Sequence, residues 1–341
     1  IMRMQKTLSG IKDEKTPIWF MRQAGRYLPE YRALRSSEPD FISYCLNSPK
    51  AAEATLQPID RFDLDAAIIF SDILMIPWAM GTGVHFVTGE GPKLSPLQKP
   101  QDIDDLKSHD LLEKLEPVAE ALRLTRSGLA DEKSLIGFCG APWTVATYMI
   151  EGGSSRDFKK SRQWLWQDPD AMDHLLNRIA DESINLLEMK VKAGADVLMV
   201  FDSWASAVPS QFQDRIVTGP MRRITDGLKA RGINAPVIGF PKAIGENIIA
   251  YAENAGINGI GLDHGVDMRW IDANLPKNLA VQGNLDPVSV IAGGKEMFKA
   301  ADAIMEACST RPHIFNLGHG FNPDTPPEHV AALTHHIRGM E

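Results

Sequence analysis

Short runs of consecutive apolar residues alternate along this chain with long amphipathic stretches, and that alternation limits the fold more than any other feature. The runs at 66–70, 135–138, 197–201, 237–240, 259–262, 279–282 and 314–317 predict strands, with 18–21 as an eighth. Most are apolar on successive residues, the pattern of parallel strands buried on both faces. Between them, Ser48-Pro49 predicts an N-cap with proline in the first turn, opening a helix to residue 61. Asp168-Pro169 does the same for a helix to residue 192. Its Met172, Leu175, Leu176, Ile179, Leu186 and Leu187 keep the spacing of one buried face, and Gly194 marks its stop. Further helices are predicted over 211–231, 245–254, 295–308 and 328–339.

Strands alternating with helices specify a parallel sheet. Eight of them in 341 residues predict an α/β protein of one domain, a closed (β/α)8 (TIM) barrel over 1–341 with residues 1–15 as a peripheral segment. An open doubly wound sheet is the alternative. Its nucleotide signatures, GxGxxG or GxxxxGK[ST] after a strand, do not occur, and Gly152-Gly153 and Gly293-Gly294 read as turns.

The formal net charge of −8 argues against nucleic acid and against an anionic membrane surface. An anionic ligand would therefore need a local reversal of charge. Residues 15–35 supply one, with Lys15, Arg22, Arg26, Arg32 and Arg35 against Glu30 alone. Gly25 and Pro29 make 21–29 a loop, with a short helix from Pro29, and two arginines on such a loop suit a bidentate grip on carboxylates or phosphates. A solvated basic loop is the plain alternative. Cys45, Cys139 and Cys308 are scattered and odd in number, which fits a reducing compartment and no disulfide framework. No HExxH, CxxC or Cys/His cluster suggests a metal site. No apolar run is long enough for a membrane span, and residues 1–6 lack the apolar core of a secretion signal.

Barrel chemistry sits at the C-terminal ends of the strands. Those ends read Ser71-Asp72, then Cys139-Gly140-Ala141-Pro142-Trp143 with Tyr148 beyond, Asp202-Ser203-Trp204, Asp263-His264, Asn284 with Asp286, and Gly318-His319-Gly320. Each has a plain reading too. Asp72 and Asp286 can cap helices, Ser203 lacks a GxSxG elbow, and His319 can be a packed loop residue, although flanking glycines also allow close approach to a ligand.

The segment 17–32, Pro-Ile-Trp-Phe-Met-Arg-Gln-Ala-Gly-Arg-Tyr-Leu-Pro-Glu-Tyr-Arg, closely resembles the N-terminal signature of uroporphyrinogen decarboxylases. Residues 136–144 and 148–153 resemble their second signature. Shorter matches fall at 66–74, 201–204, 282–287 and 316–320, so the resemblance runs from about residue 16 to 330. It implies a distorted (β/α)8 barrel and a cytoplasmic homodimer that removes CO2 from the four acetates of uroporphyrinogen III, giving coproporphyrinogen III without a cofactor. Carried over by position, the substrate loop is Arg22, Gln23, Ala24, Gly25 and Arg26. Asp72, Tyr148, Ser203 and His319 match further substrate contacts, and Arg35 matches an arginine near the cleft. Two places depart from the family pattern: Asp263-His264-Gly265 where Asp-Trp-Thr is expected, and Ala205-Ser206 where Gly-Gly is common.

That chemistry gives the residues roles. Arginine forks suit eight carboxylates, and Arg22 and Arg26 are assigned to them. Carbanion chemistry usually borrows an electron sink from a cofactor, but a pyrrole protonated beside its acetate is its own sink. An ionised Asp72, accepting several pyrrole N–H bonds, would stabilise that cationic ring selectively. Tyr148, His319 and Ser203 are expected to bond carboxylates, Ser203 alternatively a water. The proton donor stays open. A related barrel family, zinc-dependent methyltransferases, needs a His/Cys cluster that three scattered cysteines do not supply.

Overall fold

The computed structural model describes residues 2–339. Its strands are β1 (Ala66–Ile68), β2 (His85–Val87), β3 (Gly91–Lys93), β4 (Ser134–Gly140), β5 (Val197–Asp202), β6 (Val237–Pro241), β7 (Gly259–Gly261), β8 (Ala280–Gln282) and β9 (His313–Ile314). Seven form one parallel sheet in the order β1-β4-β5-β6-β7-β8-β9. All seven residues of β4 are buried, as the unbroken apolar runs require.

The two ends of this sheet are joined by the segment around Ile18. Phe315 N–H donates to the Pro17 carbonyl at 2.9 Å on the β9 side, and Asp65 N–H donates to the Ile18 carbonyl at 2.8 Å on the β1 side. Ile18 pairs with Phe315 as a single parallel bridge. The eighth stave is thus one residue of ladder, so the barrel is closed but distorted, and the open doubly wound alternative is excluded.

Outside the barrel, Asp168 caps the Pro169–Lys192 helix by accepting from Ala171 N–H, and the six predicted apolar positions are buried. The Ser48–Arg61 helix is capped by Asn47, one residue before the expected Ser48, whose hydroxyl donates instead to the Pro117 carbonyl. The predicted 211–231 helix starts irregularly. A π-turn at Asp214–Thr218 leads into the α-helix Gly219–Ala230, because Pro220 has no N–H for the ladder of a continuous helix. The antiparallel hairpin β2–β3 was not legible in the sequence. Within residues 2–15, the helix Arg3–Leu8 buries Met4 and Leu8 and packs against β4 and β9. No described helix is long and apolar enough to cross a membrane.

Candidate active site

The loop from Met21 to Leu28 leaves the closing stave at the C-terminal end of the barrel. Gln23 holds it there. Its side chain is 1% exposed, accepts from Phe20 N–H at 3.0 Å and donates to the Ala66 carbonyl of β1 at 2.9 Å. The Tyr27 hydroxyl then donates to the Gln23 carbonyl at 2.7 Å. Gln23 therefore shapes the loop with its side chain, while Ala24 and Gly25 stay half-buried and Arg22 and Arg26 project from it. Arg22 has φ 59°, a left-handed conformation unusual for a side-chain-bearing residue.

The Gly318-His319-Gly320 turn explains that placement. A Cβ on Gly320 would lie 2.4 Å from Arg22 Cδ, so the arginine stem crosses the turn where only glycine fits. A Cβ on Gly318 would lie 2.2 Å from the His264 backbone nitrogen. Both glycines thus give space to neighbours on other strands, which brings Arg22, His264 and His319 together. Asn316 Oδ1 secures the turn by accepting from Met21 and Leu317 N–H at 3.0 and 2.7 Å. The His319 ring is pushed down to about 3, first by burial and then by the charges of Arg22, Lys242 and His264. It is a neutral hydrogen-bonding group at working pH.

Asp72 follows β1. Its Oδ1 accepts from Leu74 N–H at 2.7 Å, a local turn contact; the helix Met75–Ala79 that follows has Leu74 at its N-cap and no side-chain cap bond, so Asp72 is not its cap. Oδ2 accepts no hydrogen bond from the described residues and remains available. Burial raises the carboxyl pKa, offset by the Leu74 bond and by the charge of Arg22. Arg22 feels the reciprocal effects: burial and Arg26 lower its pKa, Tyr148 and Asp72 oppose. Arg22 is open to solvent and Asp72 half-buried, so both lie in a cleft that is deep yet accessible.

Tyr148 reaches the same cleft from the Pro142–Glu151 helix. Burial raises its pKa, a bond with the Trp204 side chain opposes, and the charges of Asp72 and Arg22 act on it in turn. Trp204 is fixed through its backbone. Its carbonyl accepts from Trp143 Nε1 at 2.9 Å, and its N–H donates to Thr144 Oγ1 at 3.1 Å. Beside it, half-buried Ser203 makes no side-chain hydrogen bond within the described chain. Arg35 lies on the Pro29–Ser36 helix, where its Nη1 donates to the Glu38 carbonyl at 3.1 Å and its charge acts on Tyr31, itself within the field of Arg26 and Asp72.

Two groups received no role from the sequence: Asp202, named there only as a strand end, and Lys242. Asp202 ends β5 beneath Ser203, is 3% exposed, and accepts from Thr144 Oγ1 at 2.6 Å; burial drives its pKa up to about 7. Lys242 follows β6, half-buried, with Nζ 5.9 Å from the centre of the Trp204 ring. Its only sequence signal was position after an apolar run. The two atypical loops are well anchored. Asp263 accepts from Ala243 and Gly265 N–H at 3.0 and 3.1 Å, and Gln213 Nε2 donates to the Ala205 and Val208 carbonyls at 3.0 and 2.9 Å. Among the described residues no three His, Cys, Asp or Glu side chains group as a metal site would require.

Cations collected at the C-terminal end of a barrel, none of Arg22, Arg26, Arg35 or Lys242 within 4.0 Å of a carboxylate among the described residues, define a (β/α)8-barrel enzyme site for an anionic ligand. The profile of the family described as Uroporphyrinogen decarboxylase (URO-D) matches residues 1–340. A uroporphyrinogen decarboxylase of Maricaulis maris is 46% identical over 333 residues, covering 98% of this chain and 96% of the relative. One of Granulibacter bethesdensis is 47% identical over 325 residues, covering 94% of each. This chain therefore belongs to the uroporphyrinogen decarboxylase family. Among solved structures, a methyltransferase from Methanosarcina mazei superposes with a TM-score of 0.83 at 20% identity, over 99% of this chain and 98% of that one. At that identity the likeness speaks to the fold.

Proposed function

We propose that this chain is a carboxy-lyase that converts the four acetates of uroporphyrinogen III to methyls, releasing four CO2 and giving coproporphyrinogen III in the haem pathway. The observation that carries the reading is the pairing of a raised, half-free Asp72 with arginines that have no carboxylate partner. Arg22 and Arg26 hold substrate carboxylates, with Arg35 at the margin, and a hydrogen bond to a charged group contributes roughly 1.5–3 kcal/mol. Tyr148, Ser203 and neutral His319 complete the polar lining, and the backbone of Gln23, Ala24 and Gly25 shapes the floor of the loop.

In each cycle a proton adds to the pyrrole carbon next to the one bearing the acetate, leaving a cationic ring. The C–C bond to the carboxylate then breaks, CO2 leaves, and its electron pair neutralises the ring as an exocyclic methylene. A second proton on that methylene gives the methyl, and loss of the first-added proton from the ring carbon restores the neutral pyrrole. One proton has been consumed in net terms for each carboxylate lost. Asp72 Oδ2, accepting from the pyrrole N–H groups, gains most while the ring is cationic, which is differential stabilisation of the transition state. The protein is proposed to work as a single-domain protomer of a cytoplasmic homodimer, as the family resemblance implies.

The test is an anaerobic incubation of the purified, chelator-treated protein with uroporphyrinogen III, followed by oxidation and separation by carboxylate number. Stepwise seven-, six-, five- and four-carboxylate porphyrins are expected. Tight binding with no carboxylate lost would overturn the catalytic reading in favour of a tetrapyrrole carrier.

A further inference from the structure

The residues assigned to substrate so far lie on the closing stave and its neighbours β9, β1, β4 and β5. Counted round the barrel from Ile18, β6 is the fifth of eight staves and so stands opposite the arginine loop. Its one charged group at the C-terminal end is Lys242. The backbone there is held from two sides. Lys242 N–H donates to the Asp202 carbonyl at 3.2 Å, and the next residue, Ala243, takes a left-handed φ of 59° while its N–H donates to Asp263 Oδ1. The side chain runs back over the Trp204 indole, which also meets Tyr148 of the site and the Phe158 ring. No carboxylate of the described chain pairs with it, although exposed lysines elsewhere, such as Lys192 on Glu188, find partners. His319 lies within the fields of both Arg22 and Lys242, so both cations are near the histidine.

A ligand with carboxylates all round its rim cannot be held from one side only. We propose that Lys242 is a substrate-binding residue, the anchor for a rim carboxylate on the side of the macrocycle away from Arg22 and Arg26. The inference rests on the decarboxylase reading. The indole face keeps the ammonium pre-positioned, a cation–π arrangement, so little side-chain freedom is lost when a carboxylate arrives. Because Lys242 touches the rim and not the reacting ring, its contribution is the same in ground and transition states, and it belongs in KM instead of kcat.

Steady-state decarboxylation by Lys242→Met and Lys242→Arg, at several salt concentrations, tests this. Lys242→Met should raise KM for uroporphyrinogen III about tenfold or more with kcat within about threefold of the parent. Its KM should also depend less steeply on salt, since one cation is gone. Lys242→Arg should recover most of the loss. An unchanged KM in Lys242→Met overturns the proposal. So does a fall in kcat of the same size that Lys242→Arg does not repair, which would mark a packing role on Trp204. Parent turnover in the same assay separates this result from failure of the decarboxylase reading itself.

Discussion

Asp65 and Asp196 sit at the N-terminal end of the barrel with arginines on them; Asp72 and Asp202 sit at the other end with none. Asp65 joins Arg3 and Arg338 and accepts from Ile18 N–H at 2.7 Å. Asp196 pairs with Arg126 at 2.8 Å and accepts from Leu135 N–H at 2.8 Å. Asn258 similarly accepts from Val237 N–H, and buried Arg311 donates to the Pro276 and Leu279 carbonyls. Each of these groups ties neighbouring strand entrances together. At the exit end, Arg22, Arg26 and Lys242 pair with no carboxylate of the described residues; Asp72 has the Leu74 bond and the field of Arg22, and Asp202 the Thr144 bond, but neither has an ion-pair partner among those residues. One end uses its charges to hold the barrel shut, and the other leaves them unsatisfied for a ligand to complete.

The comparison predicts opposite consequences for similar substitutions. Asp72→Asn should lower kcat by about a hundredfold or more, by analogy with removal of one charge-stabilising group from an active site. Its unfolding free energy should be unchanged or higher, because a carboxylate whose pKa is raised by burial is held at a cost in stability. Anaerobic turnover and urea unfolding of the same preparation check both halves. Asp65→Asn should do the reverse, losing about 2 kcal/mol of stability because a largely buried pairing is broken, with kcat per folded molecule unchanged. A drop in kcat matching that of Asp72→Asn would erase the distinction between the ends.

The pH dependence of stability sharpens the point. The folded pKa of Asp202 is about 7 against an ordinary 3.8, with burial the largest cause. Below the lower value the group is protonated in both states. Between the two the unfolded chain ionises and the folded one does not, so stability falls as pH rises through that window and levels off above it. Urea unfolding at about pH 5 and about pH 8 should show this decline, and Asp202→Asn should flatten it. The smallest effect belongs to His319. With its pKa near 3 it is neutral throughout, so its ring signals should not titrate between about pH 5 and pH 8 in the free enzyme. A midpoint inside that range would mean that the ring is less buried, or the cations around it farther away, than described.

Much of this division could be read from the sequence, for reasons that differ by region. The strands were legible because burial on both faces demands unbroken apolar runs, and the arginine loop because Gly25 and Pro29 interrupt helix among clustered cations. The hairpin was not, since β2 and β3 are three residues each, half exposed and interrupted by Pro92. Gln23 entered the substrate loop through the family resemblance; that its side-chain amide bonds Phe20 and Ala66 is visible only in the structure. Lys242 was invisible because one lysine after a strand carries no pattern. Only the order of staves places it across from Arg22. The raised pKa of Asp202 comes from burial, which its bond with Thr144 only partly offsets, and spacing reveals neither.

The central claim is that an ionised Asp72 at the exit end does the chemistry. The pH profile of kcat/KM for the wild-type chain and for Asp72→Asn tests it most directly. Because burial raises the Asp72 pKa in the free enzyme, wild-type kcat/KM should fall on the acid side along a limb lying above the ordinary carboxylate range. That limb should be absent from the slow residual activity of Asp72→Asn. The same acid limb persisting in the Asn variant, or near-normal turnover by it, would contradict the account.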